Sequence, residues 1–269
     1  MEPLTLIGLA AAAGFVFRKV SEWSDSDDGI SRSLDQRRSQ IVPGKIEDTN
    51  IDDDLERIEI LTEYKLVKKL VDKGFPITFV TGGAGTGKST FVRWLENNYS
   101  GSVLLAAPTG IAAMNIGGKT LHSLFQLPLG WITRPEIKKA PYRLDIQKAS
   151  LLIIDEISMV NANWLDGVSG FLRLNRCVDK PFGGIPVVMV GDLFQLPPVV
   201  TKDLVEYFER IYGESKFFAG KSLSGAPFYA VDLKKTFRQG DQDFVDILSD
   251  IREGRNLKAA LKKINSTCT

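Results

Sequence analysis

Short uncharged apolar runs recur through the middle of the chain: Pro76-Ile77-Thr78-Phe79-Val80, Ser102-Val103-Leu104-Leu105-Ala106-Ala107, Leu151-Leu152-Ile153-Ile154 and Pro186-Val187-Val188-Met189-Val190. Polar or glycine-rich residues follow each of them. Runs that do not alternate must bury both faces of a strand, as in a parallel sheet with helices on both faces. Between them the apolar spacing turns helical, over Lys88 to Asn98 and over Asn161 to Leu174, where Trp164, Leu165, Val168, Phe171 and Leu172 share one side. Leu55, Ile58, Leu61, Leu66, Leu70 and Val71 predict a helix before the first run, with Gly74 as its stop. Beyond the last run, Phe228 to Leu233 reads as one more strand, and Phe244, Ile247, Leu248 and Ile251 as a helix ending near Gly254. Strands alternating with helices predict a doubly wound α/β domain whose ligand sits at the carboxyl ends of the strands.

The N-terminal part has a different texture. Residues 24–54 are rich in Ser, Asp, Gly and Arg, the composition of a flexible polar linker. Ahead of it, in the segment 1–23, Pro3 to Phe17 is uncharged and mostly apolar, and Arg18 and Lys19 follow. Such a stretch is short of the ~20 residues that span a bilayer as a helix. Glu2, and the lack of a basic stretch before it, argue against a cleavable secretory signal. A short membrane anchor stays open, with everything after Arg18 on the cytoplasmic side. So does an apolar helix packed on a partner or on the domain.

At 269 residues, the chain makes one large domain or two small ones. A hydrophobic share of 43% and a charged share of 25% support a sizeable core. The net charge of +1 leaves nucleic acid undecided, since a basic groove fits inside a neutral total. Two distant cysteines, Cys177 and Cys268, provide neither a zinc site nor a disulfide framework, and a reducing, intracellular compartment is the natural setting. His122 is the only histidine, so a metal would be held by oxygen ligands, which points to magnesium.

Candidate chemistry begins at Gly82-Gly83-Ala84-Gly85-Thr86-Gly87-Lys88-Ser89, between a predicted strand and a predicted helix. That is the P-loop pattern: glycines let backbone N–H groups converge on phosphate oxygens, and the helix N-terminus adds positive potential. The expected ATP cradle is Gly83, Ala84, Gly85, Thr86, Gly87, Lys88, Ser89 and Thr90. Lys88 would reach the β and γ phosphates, and the Ser89 hydroxyl would ligate Mg2+. The run Leu151 to Ile154 delivers Asp155 and Glu156 to the same sheet edge. Asp155 would hold the metal, and Glu156 would polarise the attacking water. Alone, an acidic pair after a strand is weak evidence; behind a P-loop it is strong. Gly191-Asp192-Leu193-Phe194-Gln195-Leu196-Pro197-Pro198-Val199 follows another run. Gln195 there would bond the γ phosphate or the water, the plainer reading being a proline-stiffened turn. In Leu233-Lys234-Lys235-Thr236-Phe237-Arg238-Gln239, Arg238 would stabilise transition-state charge, although an arginine after a strand is usually a solvated surface residue.

These motifs, in this order, resemble the superfamily 1B DNA helicases of the Pif and RecD type. The segment Ala107 to Phe125 looks like the stretch with which Pif-type helicases grip single-stranded DNA, and Ile211-Tyr212-Gly213 with Phe217-Phe218 is also similar. The resemblance runs from about Phe75 to Arg255. It implies a RecA-like P-loop ATPase fold, ATP hydrolysis with Mg2+, single-stranded DNA as partner and a place in DNA repair or recombination. It implies the roles given above for Lys88, Ser89, Asp155, Glu156, Gln195 and Arg238. It also implies phosphate contacts from Thr109, Thr120, His122 and Ser123; for His122 a hydrogen-bonded core position is the alternative. Gln126 to Ser150 falls where the family inserts a small strand-separating element.

Two departures stand out. The family's adenine-reading glutamine has no counterpart in Leu61-Thr62-Glu63-Tyr64-Lys65. The sequence given stops at Thr269, before the family's second motor domain. The expected organisation is therefore a RecA-like ATPase domain over 55–233 and the start of a second motor domain over 234–269. The expected function is a helicase-type motor ATPase. The rival is a one-domain ATP switch for protein interaction that does not unwind.

Overall fold

A computed structural model of the chain describes residues 61–83, 85–235, 237, 247, 250–251 and 257–267. The apolar segment 3–17, the linker 24–54, Ala84 and Arg238 lie outside the described residues. So does most of the helix expected over 244–254, of which Ile247, Asp250 and Ile251 are helical. Among the described residues no helix is long and apolar enough to cross a membrane.

Helix α1 (Thr62–Asp72) leads into strand β1 (Ile77–Gly82), and α2 (Lys88–Asn98) follows the glycine-rich loop. Then come β2 (Val103–Ala107), α3 (Gly110–Asn115), β3 (Lys119–Thr120), α4 (Leu121–Phe125), α5 (Leu144–Lys148), β4 (Leu151–Ile154) and α6 (Ala162–Arg176). Strand β5 (Val187–Val190), α7 (Lys202–Tyr212), β6 (Phe228–Leu233) and α8 (Leu257–Thr267) complete the described elements. The strands form one sheet in the order β3-β2-β4-β5-β1-β6, and every neighbouring pair is parallel. The α/β fold read from the apolar runs is therefore present. So are the predicted strands at 151–154 and 228–233 and the predicted helix at 88–98, with the same bounds.

Both faces of the sheet are covered, and the alternation of strand side chains shows how. Ile77, Phe79, Leu104, Ala106, Leu152, Ile154, Val187 and Met189 join one core cluster with Leu165, Val168, Phe171 and Leu172 of α6. The intervening Thr78, Val80, Leu105, Leu151, Ile153, Val188 and Val190 are just as buried but point to the opposite face. That is the face of Phe91, Val92 and Leu95 from α2. Tyr64 of α1 packs on α2, 5.0 Å from the Phe91 ring and 5.6 Å from the Trp94 ring.

The stretch between α4 and β4 is a strap on α6. Asn163 receives the Ile132 N–H at 2.7 Å and donates to the Ile132 carbonyl at 3.0 Å. Arg176 donates to the carbonyls of Ile146, Gln147 and Ala149. Gly167 and Gly170 in the middle of α6 make room: a methyl group on either would lie 2.7 Å from Ile132 Cδ1 or Ile137 Cδ1. Helix α7 did not emerge from the pattern reading. It holds Phe208 and Tyr212 against Trp131 of the strap, with ring centroids 5.1 and 6.1 Å apart.

Candidate functional site

The sheet order sets the layout of the carboxyl edge. Strand β5 lies between β1 and β4, so the glycine-rich loop, the Asp192 loop and the Asp155 turn leave three adjacent strands. Strands β2 and β3, which carry Thr109 and Thr120, lie on the far side of β4. At about 4.8 Å per strand, roughly 14 Å separates β1 from β2. One edge thus has a phosphate-type end and a Thr109–Ser123 end, with the acidic turn between them.

At the first end, Gly85 and Gly87 adopt φ of 77° and 83°, a region that disfavours side chains, and Gly87 opens α2 with no side-chain cap. The first N–H groups of α2 therefore face outward without intrahelical partners. Lys88 Nζ curls back into the loop and donates to the carbonyls of Gly82 at 2.8 Å and Gly83 at 2.9 Å. Thr86 is buried and its hydroxyl donates to Gly83 O at 3.0 Å, a loop-internal role. Ser89 and Thr90 are exposed on the first turn of α2. The loop is clamped from outside. The Tyr64 hydroxyl donates to Gly87 O, and the Phe237 N–H donates to Gly85 O at 2.9 Å.

Asp155 is 4% exposed, and its Oδ1 accepts the Glu156 N–H at 2.9 Å. Burial pushes its pKa up to about 6; the Glu156 N–H and the nearby Lys88 charge pull it partly back. Glu156 holds φ 50°, ψ 43°, left-handed geometry that is strained for a non-glycine residue. It lines an open cleft of about 650 Å³ with Thr109, Ser158, Gln195 and the apolar Ile111, Phe194 and Leu196. Gln195 is exposed, and its amide reaches Asp192 Oδ2 only at 3.4 Å. Asp192 is 1% exposed, and its Oδ1 takes the Phe194 N–H at 3.1 Å, which fixes the loop after β5. Glu156, Gln195 and Thr109 are thus brought to one cleft, and Lys88 lies close enough to Asp155 for its charge to act there.

At the second end, Thr109 and Thr120 turn out to be helix caps. Their hydroxyl oxygens accept the N–H of Ala112 and of Ser123, both at 3.2 Å. Ser123 is exposed. His122 sits edge-on to Trp164 with centroids 4.2 Å apart, and burial lowers its pKa. The aromatic contact holds His122 partly buried. Three contributors went unread in the sequence: Tyr64, Asp192 and Ser158. Of these, Asp192 carried a legible signal, an acidic residue directly after Gly191 at a strand end.

Which metal or nucleotide suits this edge is a question of donors. Among the described residues no group of three or more His, Cys, Asp or Glu side chains gathers to hold a metal alone. The buried Asp155 carboxyl and the exposed Ser89 hydroxyl, both at this edge, are instead donors of the kind that fit Mg2+, which takes one or two protein oxygens and completes its shell with phosphates and water.

The chain is similar to known proteins. Over 208 residues the chain is 39% identical to the ATP-dependent DNA helicase RRM3 of Saccharomyces cerevisiae, covering 73% of this chain and 28% of that protein. It is 33% identical over 217 residues to human ATP-dependent DNA helicase PIF1, covering 78% of this chain and 32% of that protein. A crystal structure of Bacteroides Pif1 bound to single-stranded DNA superposes with a TM-score of 0.71 at 40% identity, over 77% of this chain and 49% of that one. A second, with ADP-AlF3 and single-stranded DNA, gives 0.70. The chain thus spans about a third or less of these curated relatives. The model of the family described as PIF1-like helicase matches residues 62–261, and the chain belongs to that family.

Proposed function

We propose that this chain is the first motor domain of an ATP-driven DNA helicase, with ATP and Mg2+ at the β1–β4 end of the sheet edge and single-stranded DNA at the β2–β3 end. The observation that carries it is the single cleft shared by Glu156, Gln195 and Thr109, which joins a water-activating carboxylate to the strand-binding side. On nucleotide binding, Lys88 exchanges the Gly82 and Gly83 carbonyls for phosphate oxygens, while the N–H groups of Gly85 to Ser89 converge on them. Ser89 and Asp155 hold Mg2+, which when bound neutralises developing phosphate charge. Glu156 orients and deprotonates the attacking water, and Gln195 senses the γ phosphate. Arg238 supplies charge stabilisation from the start of a second motor domain at 234–269. Thr109, Thr120 and Ser123 donate to backbone phosphates, so the strand is held without being read. His122, edge-on to Trp164, borders that path.

For residues 3–17 the accompanying proposal is a membrane anchor that leaves the ATPase domain on the cytoplasmic side; salt-resistant sedimentation of the full chain with membranes tests it. The central test is the ATP hydrolysis rate with and without single-stranded DNA. Stimulation by DNA supports the motor reading. Hydrolysis indifferent to DNA overturns it.

A further inference from the structure

Ser158 is 6% exposed, and its hydroxyl oxygen is buried with no hydrogen-bond partner among the described residues. A buried hydroxyl left unsatisfied is costly, so it calls for an explanation. Its position supplies one. Ser158 belongs to the 3-10 turn Ile157–Met159, which Glu156 introduces in its left-handed conformation. That turn rests directly on Gly191: a methyl group there would lie 2.9 Å from Ile157 Cγ2, 3.1 Å from Ile157 N and 3.3 Å from Ser158 N. Gly191 opens the loop that ends in Gln195, so the Glu156 turn and the Gln195 loop meet backbone to backbone. Ser158, Glu156 and Gln195 line the same cleft. The Gln195 side chain is loosely held, its nitrogen 3.4 Å from Asp192 Oδ2.

We infer that Ser158 is a positioning residue whose hydroxyl donates to the Gln195 side-chain carbonyl when nucleotide is bound, locking the Gln195 loop to the Glu156 turn. The bond satisfies the orphaned hydroxyl and fixes the γ-phosphate sensor relative to the general base. This rests on the hydrolysis proposed above. A purely structural serine makes a different prediction for activity. Removing an unsatisfied buried hydroxyl is then neutral or stabilising, and activity does not change.

The experiment measures kcat, ATP affinity and thermal midpoint for the parent, Ser158→Ala, Ser158→Thr, Gln195→Ala and the Ser158→Ala/Gln195→Ala double variant, with Lys88→Ala as background. The expected result is a fall of about 10-fold in kcat for Ser158→Ala, the scale of one transition-state hydrogen bond. ATP affinity should stay within about twofold, the midpoint should be unchanged or higher, and threonine should recover part of the rate. The double variant should be no slower than Gln195→Ala alone, since both remove the same contact. Parent-level kcat in Ser158→Ala, a loss of ATP affinity that accounts for the fall, or effects that multiply in the double variant would each overturn the inference. If the parent itself hydrolyses ATP no faster than Lys88→Ala, the hydrolysis proposal fails and takes this inference with it.

Discussion

The Tyr64 hydroxyl donates to the Gly87 carbonyl oxygen across 2.9 Å, joining α1 to the glycine-rich loop over 23 positions of sequence. The phenol is 1% exposed, and burial pushes its pKa up to about 12, so it remains a protonated donor at neutral pH. The same oxygen accepts the Phe91 N–H at 2.8 Å. Since a trans peptide points its C=O and N–H in opposite directions, anchoring Gly87 O aims the Lys88 N–H out of the helix and into the phosphate cradle. Tyr64→Phe keeps the ring packing and removes the anchor. We expect a loss of about 1 kcal/mol of stability and several-fold weaker ATP binding. Urea unfolding and nucleotide titration check this, and unchanged values in both would contradict the anchoring role.

Lys88→Ala removes the side chain that the proposed function assigns to the β and γ phosphates. Nucleotide binding or turnover should be lost while the fold persists, because the Lys88 side chain donates to the Gly82 and Gly83 carbonyls of the loop and is not part of the apolar core. Parent-like affinity and hydrolysis in this variant would contradict the P-loop assignment.

Glu156→Gln preserves shape but loses the base. ATP with Mg2+ should still bind, and hydrolysis should slow by ~10²–10⁴-fold. Single-turnover hydrolysis at the parent rate would show that another group activates the water.

Asp155 gives the site a pH signature. Its pKa in the folded chain, about 6, lies above the unfolded carboxyl value of ~3.9. The folded state therefore holds the proton more tightly. Stability from this group is highest below pH ~4 and falls by roughly 2–3 kcal/mol as pH rises through 6. Affinity for ATP with Mg2+ should move the other way, rising between pH 5 and 7 as the carboxylate forms. Asp155→Asn should be the more stable protein at pH 8 and should lose the pH dependence of binding. Thermal unfolding and calorimetric titration across this range decide it.

A polypeptide of these 269 residues should bind ATP without separating duplex strands by itself. Solved Pif1 chains are about twice as long as the region matched here. Stepping needs two domains that close on one nucleotide, and the proposed function assigns Arg238 to the second. An arginine of that kind is worth ~10³–10⁵-fold in turnover. Hydrolysis should accordingly be slow, and DNA binding weak and steeply salt-dependent. Strand separation on a tailed duplex, with Lys88→Ala as control, is the assay. ATP-dependent unwinding by the parent alone would show that the chain completes a motor unaided, for example by pairing two copies.

Sequence by itself determined the fold class and the place of the glycine-rich loop between β1 and α2. Short continuous apolar runs flanked by glycine or polar residues read as strands buried on both faces, and Gly85, Gly87 and Lys88 belong to a short motif legible from local sequence. Asp155 and Glu156 were legible because they end such a run. Helix α7 was missed although Leu204, Phe208 and Ile211 recur at helical spacing before Gly213. Its mean burial is modest, and the proline-rich segment before it reads as a turn. What only the tertiary structure decided are relationships between distant segments: β5 inserted between β1 and β4, Tyr64 and Phe237 closing on the glycine loop, and the strap fastened to α6 by Asn163 and Arg176. Thr109 and Thr120 as caps, and Ser158 as an orphaned hydroxyl against the Gln195 loop, belong to the same group. The physical reason is common to all of them. Periodicity reports how one element meets water, whereas hydrogen bonds and close backbone approach depend on which elements the sheet order makes neighbours.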